Sequence, residues 1–169
     1  MASTSIKLKG WKQYSDKLKA APQKVVKVMN AHAAIASNNI ANDARTNSPH
    51  NLGRLRGSIH ANELKPGQWS VTVGVNYAAY MEFGTKSKVQ IPSGLEQYAS
   101  QFRGGGGEKG AKEAIYQWCQ DQGIERDRWW GIFIHIMLKG VRAHPFLFPA
   151  VERERPKFYN RLKDALNNI

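Results

Sequence analysis

Acidic residues are scarce in this chain. Thirteen Asp and Glu stand against 25 Lys and Arg, a net charge of +12 over 169 residues. That balance favours an anionic partner (nucleic acid, an acidic protein surface or lipid headgroups) without choosing among them. Cysteine is nearly absent: Cys119 is the single one, so no intrachain disulfide framework can form. This suits a reducing compartment. Long apolar runs are missing too. The longest, Trp129–Leu138, is too short to span a bilayer and contains Gly131 and His135. The N-terminus carries no apolar core of signal-peptide type. The histidines at 32, 50, 60, 135 and 144 show no metal-ligand spacing. No carboxylate pair forms an acid–base framework, and nothing local sets Cys119 beside an imidazole. Gly104–Gly107, followed by Glu108-Lys109-Gly110, lacks the Gly-Lys-Ser/Thr and the preceding strand of a phosphate cradle and reads as a linker. No stacking-platform motif of an RNA-binding type occurs. The expectation is a non-enzymatic protein with no cofactor and no metal.

What is present is an ordinary globular core. The apolar fraction of 41% is too high for a disordered chain, and the length fits one domain over 1–169. Residues 1–9 read as a flexible polar arm. Trp11, Tyr14 and Leu18 mark a short amphipathic helix. Val25, Val28, Met29, His32, Ile35, Ala36, Asn39, Ile40 and Asp43 recur at steps of three and four, which predicts a long helix over about 22–46. His32 on that stripe reads as a hydrogen-bonded core histidine. Asn39 and Asp43 would face a subunit boundary or the loop that follows.

Residues 47–53 hold turn formers. Leu55, Gly57, Ile59 and Ala61 alternate with Arg54, Arg56, Ser58 and His60, which predicts a half-buried strand with a basic outer face. Lys65-Pro-Gly-Gln68 is a turn. Trp69, Val71, Val73 and Val75 then alternate with polar residues, the clearest strand in the chain and the partner for an antiparallel hairpin.

Residues 86–141 form an insertion: a polar loop at 86–94, a brief helix at 95–102, the glycine linker at 104–107, and a helix carrying Ala111, Ala114, Ile115, Trp118 and Cys119 that Gly123 stops. A buried, inert thiol is the reading for Cys119. Trp129–Leu138 is apolar nearly all round, hence a buried helix or a contact surface between subunits; Asp127 could cap it and Lys139-Gly140 end it. Prolines 145 and 149 bracket Phe146-Leu-Phe148 as an extended segment able to add a third, edge strand. Val151, Phe158, Leu162, Ala165 and Ile169 define a C-terminal helix that Pro156 kinks or starts. The fold class is α+β: a small antiparallel sheet against a long N-terminal and a C-terminal helix, with a mostly helical insertion.

The chain is organised around Tyr77-Ala-Ala-Tyr-Met-Glu-Phe-Gly-Thr85. Tyr77, Tyr80 and Phe83 share a helical face that Gly84 would end. Glu82, between Met81 and Phe83, needs a partner if it is half buried: an Arg or backbone N–H groups. This stretch resembles the signature of the tailed-bacteriophage neck proteins, the minor tail proteins also called head–tail joining or tail-completion proteins. Two further segments match in order, Pro49-x-x-x-Gly53-x-Leu55-Arg56-x-Ser58 and His144-Pro-Phe-Leu-Phe-Pro-Ala150. Leu52 departs from the pattern, which often has Thr before that glycine, and 86–141 has no counterpart.

The resembling residues are Tyr77, Glu82, Phe83, Gly84, Thr85, Pro145, Phe146, Pro149 and Ala150. The resemblance implies a virion protein that assembles as a homo-oligomeric ring at the head–tail junction after synthesis in the host cytoplasm. Its partners would be head-connector, tail-terminator or tail-tube proteins, with DNA passing through the lumen and no membrane. Trp129, Trp130, Phe133, Phe146 and Phe148 are the candidates for subunit or partner contact, since desolvated aromatics dominate interfaces. Lys7, Lys9, Lys12, Arg54 and Arg56 are candidates for a basic lumen that touches phosphates without reading bases. The alternative function class is a free-standing, sequence-nonspecific nucleic-acid-binding protein.

Overall fold

The computed structural model describes residues 4–5, 23–49, 53–85, 96–97 and 108–168. Its elements are β1 (Thr4–Ser5), α1 (Gln23–Asn47), α2 (Arg54–Gly57), β2 (Ile59–Lys65), β3 (Gln68–Val73), α3 (Ala78–Phe83), α4 (Glu108–Asp121), α5 (Trp129–Lys139) and α6 (Leu147–Asn167). The fold is α+β as the sequence patterning predicts. The helix near Trp11, the loop at 86–94, the glycine run and most of 95–102 lie outside the described residues, as do Lys7, Lys9 and Lys12.

The sheet has the order β1-β3-β2 and is antiparallel throughout. Ile59 faces Val73, Ala61 faces Val71 and Glu63 faces Trp69, with an irregularity between Glu63 and Lys65 before the turn. Gly67, at φ 77°, supplies the left-handed residue this turn requires. Asn30 of α1 fixes the turn from below: its Oδ1 accepts from the Gly67 N–H at 3.0 Å and from Trp69 Nε1 at 2.8 Å.

One long helix carries the core. α1 buries Met29, Ala33, Ala36, Ser37, Ile40, Ala41 and Ala44 along one face. The small residues in that stripe let α6 and the sheet come close. Ile40, Ala41 and Ala44 pack with Leu55, Ile59, Val73, Val75, Tyr77, Ala78, Phe146, Leu147 and Ala150, and Ala114 of α4 joins them. A second, smaller cluster of Ile115, Cys119 and Phe133 holds α4 to α5. The described part of the insertion from residue 108 on is thus mostly helical, with its own small core and one helix docked on the main one.

The polar end of the α1 stripe faces α6, neither a subunit boundary nor the following loop. Asn39 Nδ2 donates to Glu154 Oε1 at 3.1 Å, Arg153 Nε donates to Asp43 Oδ2 at 2.8 Å, and Arg161 also pairs with the buried Glu154. Of His32, expected to be hydrogen-bonded, the Nδ1 is buried with no partner among the described residues.

Three further expectations are corrected. Residues 54–57 are a helical turn, and the strand begins only at Ile59. Gly53, at φ 75°, turns the chain, Gly57 N–H returns to Gly53 O at 2.7 Å, and Ser58 Oγ bonds Leu55 O. Leu55 and Ile59 are four apart, a spacing that fits a strand face and a helical turn equally, and local hydrogen bonds chose the turn. The third strand is Thr4–Ser5, part of the expected arm, and not the segment 146–148. That segment opens α6 instead, so the helix starts well before Pro156, which lies in its interior.

Candidate functional site

The reason the helix opens at Leu147, with Phe146 as its N-cap, lies in α3. Glu82 is 5% exposed, and its carboxylate accepts three backbone N–H groups: Phe146 and Leu147 on Oε2 at 2.9 and 3.0 Å, and Phe148 on Oε1 at 2.9 Å. A helix leaves its first N–H groups without internal partners. Here three go to one side chain, and the next residue, Pro149, has no N–H to satisfy. Proline in the first turn is therefore compatible with the helix and suits its backbone angles. The negative carboxylate also meets the positive end of the helix dipole.

Burial pushes the Glu82 carboxyl above its ordinary value, while the three N–H groups and nearby His144 pull it down without cancelling that rise. The chain around the clamp is pinned on both sides. His144 N–H bonds Met81 O at 2.7 Å, Thr85 N–H bonds Val141 O at 3.1 Å, and Val141 N–H bonds Thr85 Oγ1 at 2.7 Å. Gly84, at φ 64°, ends α3 so that Thr85 can reach Val141. Phe83 lies against Phe148 with ring centroids 5.3 Å apart.

Tyr77 anchors the other end of the motif to the insertion. Its hydroxyl donates to Asp121 Oδ2 at 2.8 Å, and Arg54 Nη1 reaches Asp121 Oδ1 at 2.6 Å. Burial, then the hydrogen bond and charge of Asp121, hold the phenol well above its ordinary value, against the opposing charge of Arg54. It therefore stays a hydrogen-bond donor at neutral pH. Asp121 is the functional partner that sequence reading missed; an Asp at a helix end gives no local signal of a mate 44 residues away.

The aromatic candidates divide. Phe133, Phe146 and Phe148 are buried inside the chain, so they are part of its own core and do not line an interface. Trp129 is half-buried against Phe133, and Trp130 is 50% exposed. α5 therefore resolves as an exposed apolar helix and not a buried one: Ile134, Met137 and Leu138 are exposed beside Trp130. Its N-cap is Arg128 with no side-chain capping bond, so Asp127 does not cap it; Gly140, at φ 81°, ends it.

The basic candidates Arg54 and Arg56 sit on the α2 turn and not on a strand face, and Arg54 is engaged with Asp121. Cys119 is 1% exposed, and burial pushes its thiol pKa up, which makes it less reactive than an ordinary thiol. Among the described residues, no helix is long and apolar enough to cross a membrane. No family model, no curated protein and no solved structure matches this chain.

Proposed function

We propose that the chain is a structural protein of a tailed-phage neck. It forms a homo-oligomeric ring that completes the tail or joins the head connector to the tail, with the genome passing through its lumen. The reading rests first on three resembling motifs in order. The observation that carries it is the clamp: Glu82 of the central motif bonds the backbone of the closing motif, so the two segments act as one structural unit although 64 to 66 residues separate their partners. The first motif joins the same cluster through Leu55. The excess of cations supports a lumen that holds DNA loosely, by phosphate charge alone. Lys7, Lys9, Lys12 and Arg56 are its candidates, with Arg54 contributing less because Asp121 occupies it. Neighbouring connector, terminator or tube proteins would be its partners in the virion, and the mechanism is surface complementarity without catalysis.

The test is complementation of a phage lacking the protein, with the location of the chain in purified particles read by electron microscopy. Restored head–tail joining and a ring at the neck support the proposal. Particles that join in its absence, together with tight sequence-selective DNA binding that survives physiological salt, would replace it. Weak, salt-sensitive binding to unrelated duplexes without any neck density would favour the free-standing nonspecific binder.

A further inference from the structure

Asp121 stands where a helix least favours a carboxylate. α4 ends on it, at the negative end of the helix dipole, and the last turn has no basic residue to offset it. Its side chain is 2% exposed, and among the described residues its one ion pair is with Arg54, whose side chain is 54% exposed. The partners that hold this charge are therefore Arg54 and Tyr77, not α4 itself. The ion pair is lopsided. Arg54 can turn its guanidinium outward to a phosphate, a group whose geometry it fits. Asp121 has no such exit. A buried carboxylate stripped of its cation is strongly unfavourable. The Tyr77 hydroxyl on Oδ2 is a neutral donor and does not replace that charge. Relief comes when the end of α4 turns outward to water. α4 also meets the main core through Ala114 and the half-buried Trp118, contacts that carry no charge.

We propose that Asp121 is an internal stand-in for a nucleic-acid phosphate. A backbone phosphate and Asp121 compete for Arg54, and when the phosphate wins, the end of α4 loosens from the main core. This rests on the reading above in which the chain meets DNA phosphates, and it deepens that reading at one residue. Arg54 is the weaker lumen candidate as long as Asp121 holds it; the exchange turns that weakness into a latch. Linkage makes the effect reciprocal: the factor by which duplex binding weakens the docking of α4 is the factor by which docking weakens duplex binding. In a ring, DNA in the lumen would thereby be signalled at α4 and α5.

Hydrogen exchange and salt titration with a short duplex of random sequence test it. A bound ligand ordinarily slows exchange. Here the duplex should speed it over 108–139 in the wild-type chain and leave 23–47 unchanged. Asp121→Asn keeps an oxygen for the Tyr77 hydroxyl and releases Arg54. It should bind the duplex about fivefold more tightly or better, while Asp127→Asn, the same charge change at an exposed site, should not. The double variant Arg54→Gln, Asp121→Asn carries no buried charge at this site. Its salt slope should be shallower than that of Asp121→Asn by about 0.9, one phosphate contact, and its exchange should not respond to the duplex. Duplex binding without faster exchange, an Asp121→Asn that binds no more tightly than Asp127→Asn, or an unchanged slope in the double variant overturns the latch. Absence of any duplex binding at low salt overturns both the latch and the DNA contact of the lumen. Head–tail complementation is scored separately, so a chain that joins heads to tails but fails the exchange test keeps the neck reading and loses the latch.

Discussion

The two helices α5 and α6 begin in opposite ways. α6 starts inside the protein, with its first N–H groups on the Glu82 carboxylate and its first residues, Leu147, Phe148 and Ala150, buried. α5 starts at the surface behind Arg128, without a side-chain cap, and buries only Phe133. The first helix is specified by a polar contact across the chain. The second is specified by a small apolar cluster on one side and leaves its other side apolar and exposed. In the region that resembles the neck proteins, the start of α6 thus has its N–H groups matched internally. In the insertion, α5 leaves Trp130, Ile134, Met137 and Leu138 exposed.

The contrast breaks most severely at Glu82. Glu82→Ala should strip three buried N–H groups of their acceptor and cost about 2–4 kcal/mol of stability, read by urea unfolding. Glu82→Gln isolates the charge. The folded-state carboxyl lies above its ordinary value of 4.5, so the folded chain holds this proton more tightly than the unfolded one. Its contribution to stability is therefore full below the ordinary value and is lost as pH rises through the raised one. Glu82→Gln should remove that decline from the profile of melting temperature against pH. An unchanged profile would mean that the carboxyl does not titrate above 4.5 in the folded chain.

A middle-sized effect separates the two regions. Tyr77→Phe leaves the core volume almost unchanged but takes the hydroxyl from Asp121, at a cost of about 1–2 kcal/mol. Because Asp121 closes α4, the loss should appear as faster hydrogen exchange over 108–139 with little change in 23–47. Uniform acceleration across both would show that the insertion and the main core unfold as one unit. The smallest effect is at the α1–α6 surface. Asp43 and Arg153 are 36% and 49% exposed, so Asp43→Ala should shift stability by no more than about 0.5 kcal/mol. A larger loss would place that pair with the buried contacts.

The sequence by itself determined the elements whose signal is local. The three-and-four spacing from Val25 to Asp43 produced α1 within one residue at either end, because a 25-residue amphipathic stripe overrides small propensity conflicts. Pro66-Gly67 gave the hairpin turn, and Glu82 between Met81 and Phe83 announced a half-buried carboxylate in need of a partner, an Arg or backbone N–H groups. Only the tertiary structure decided that the partners are N–H groups, and which ones. The residues flanking Pro145 and Pro149 read as extended, since proline disfavours the helix before it. A carboxylate from α3 then offered acceptors for a helix start, and the proline lost nothing by having no N–H there. Likewise Asp121, Tyr77 and Arg54 come from three separate elements, and no spacing along the chain encodes their meeting. Period and turn chemistry act over a few residues and are written in order; a buried charge is satisfied by whatever the fold brings within 3 Å.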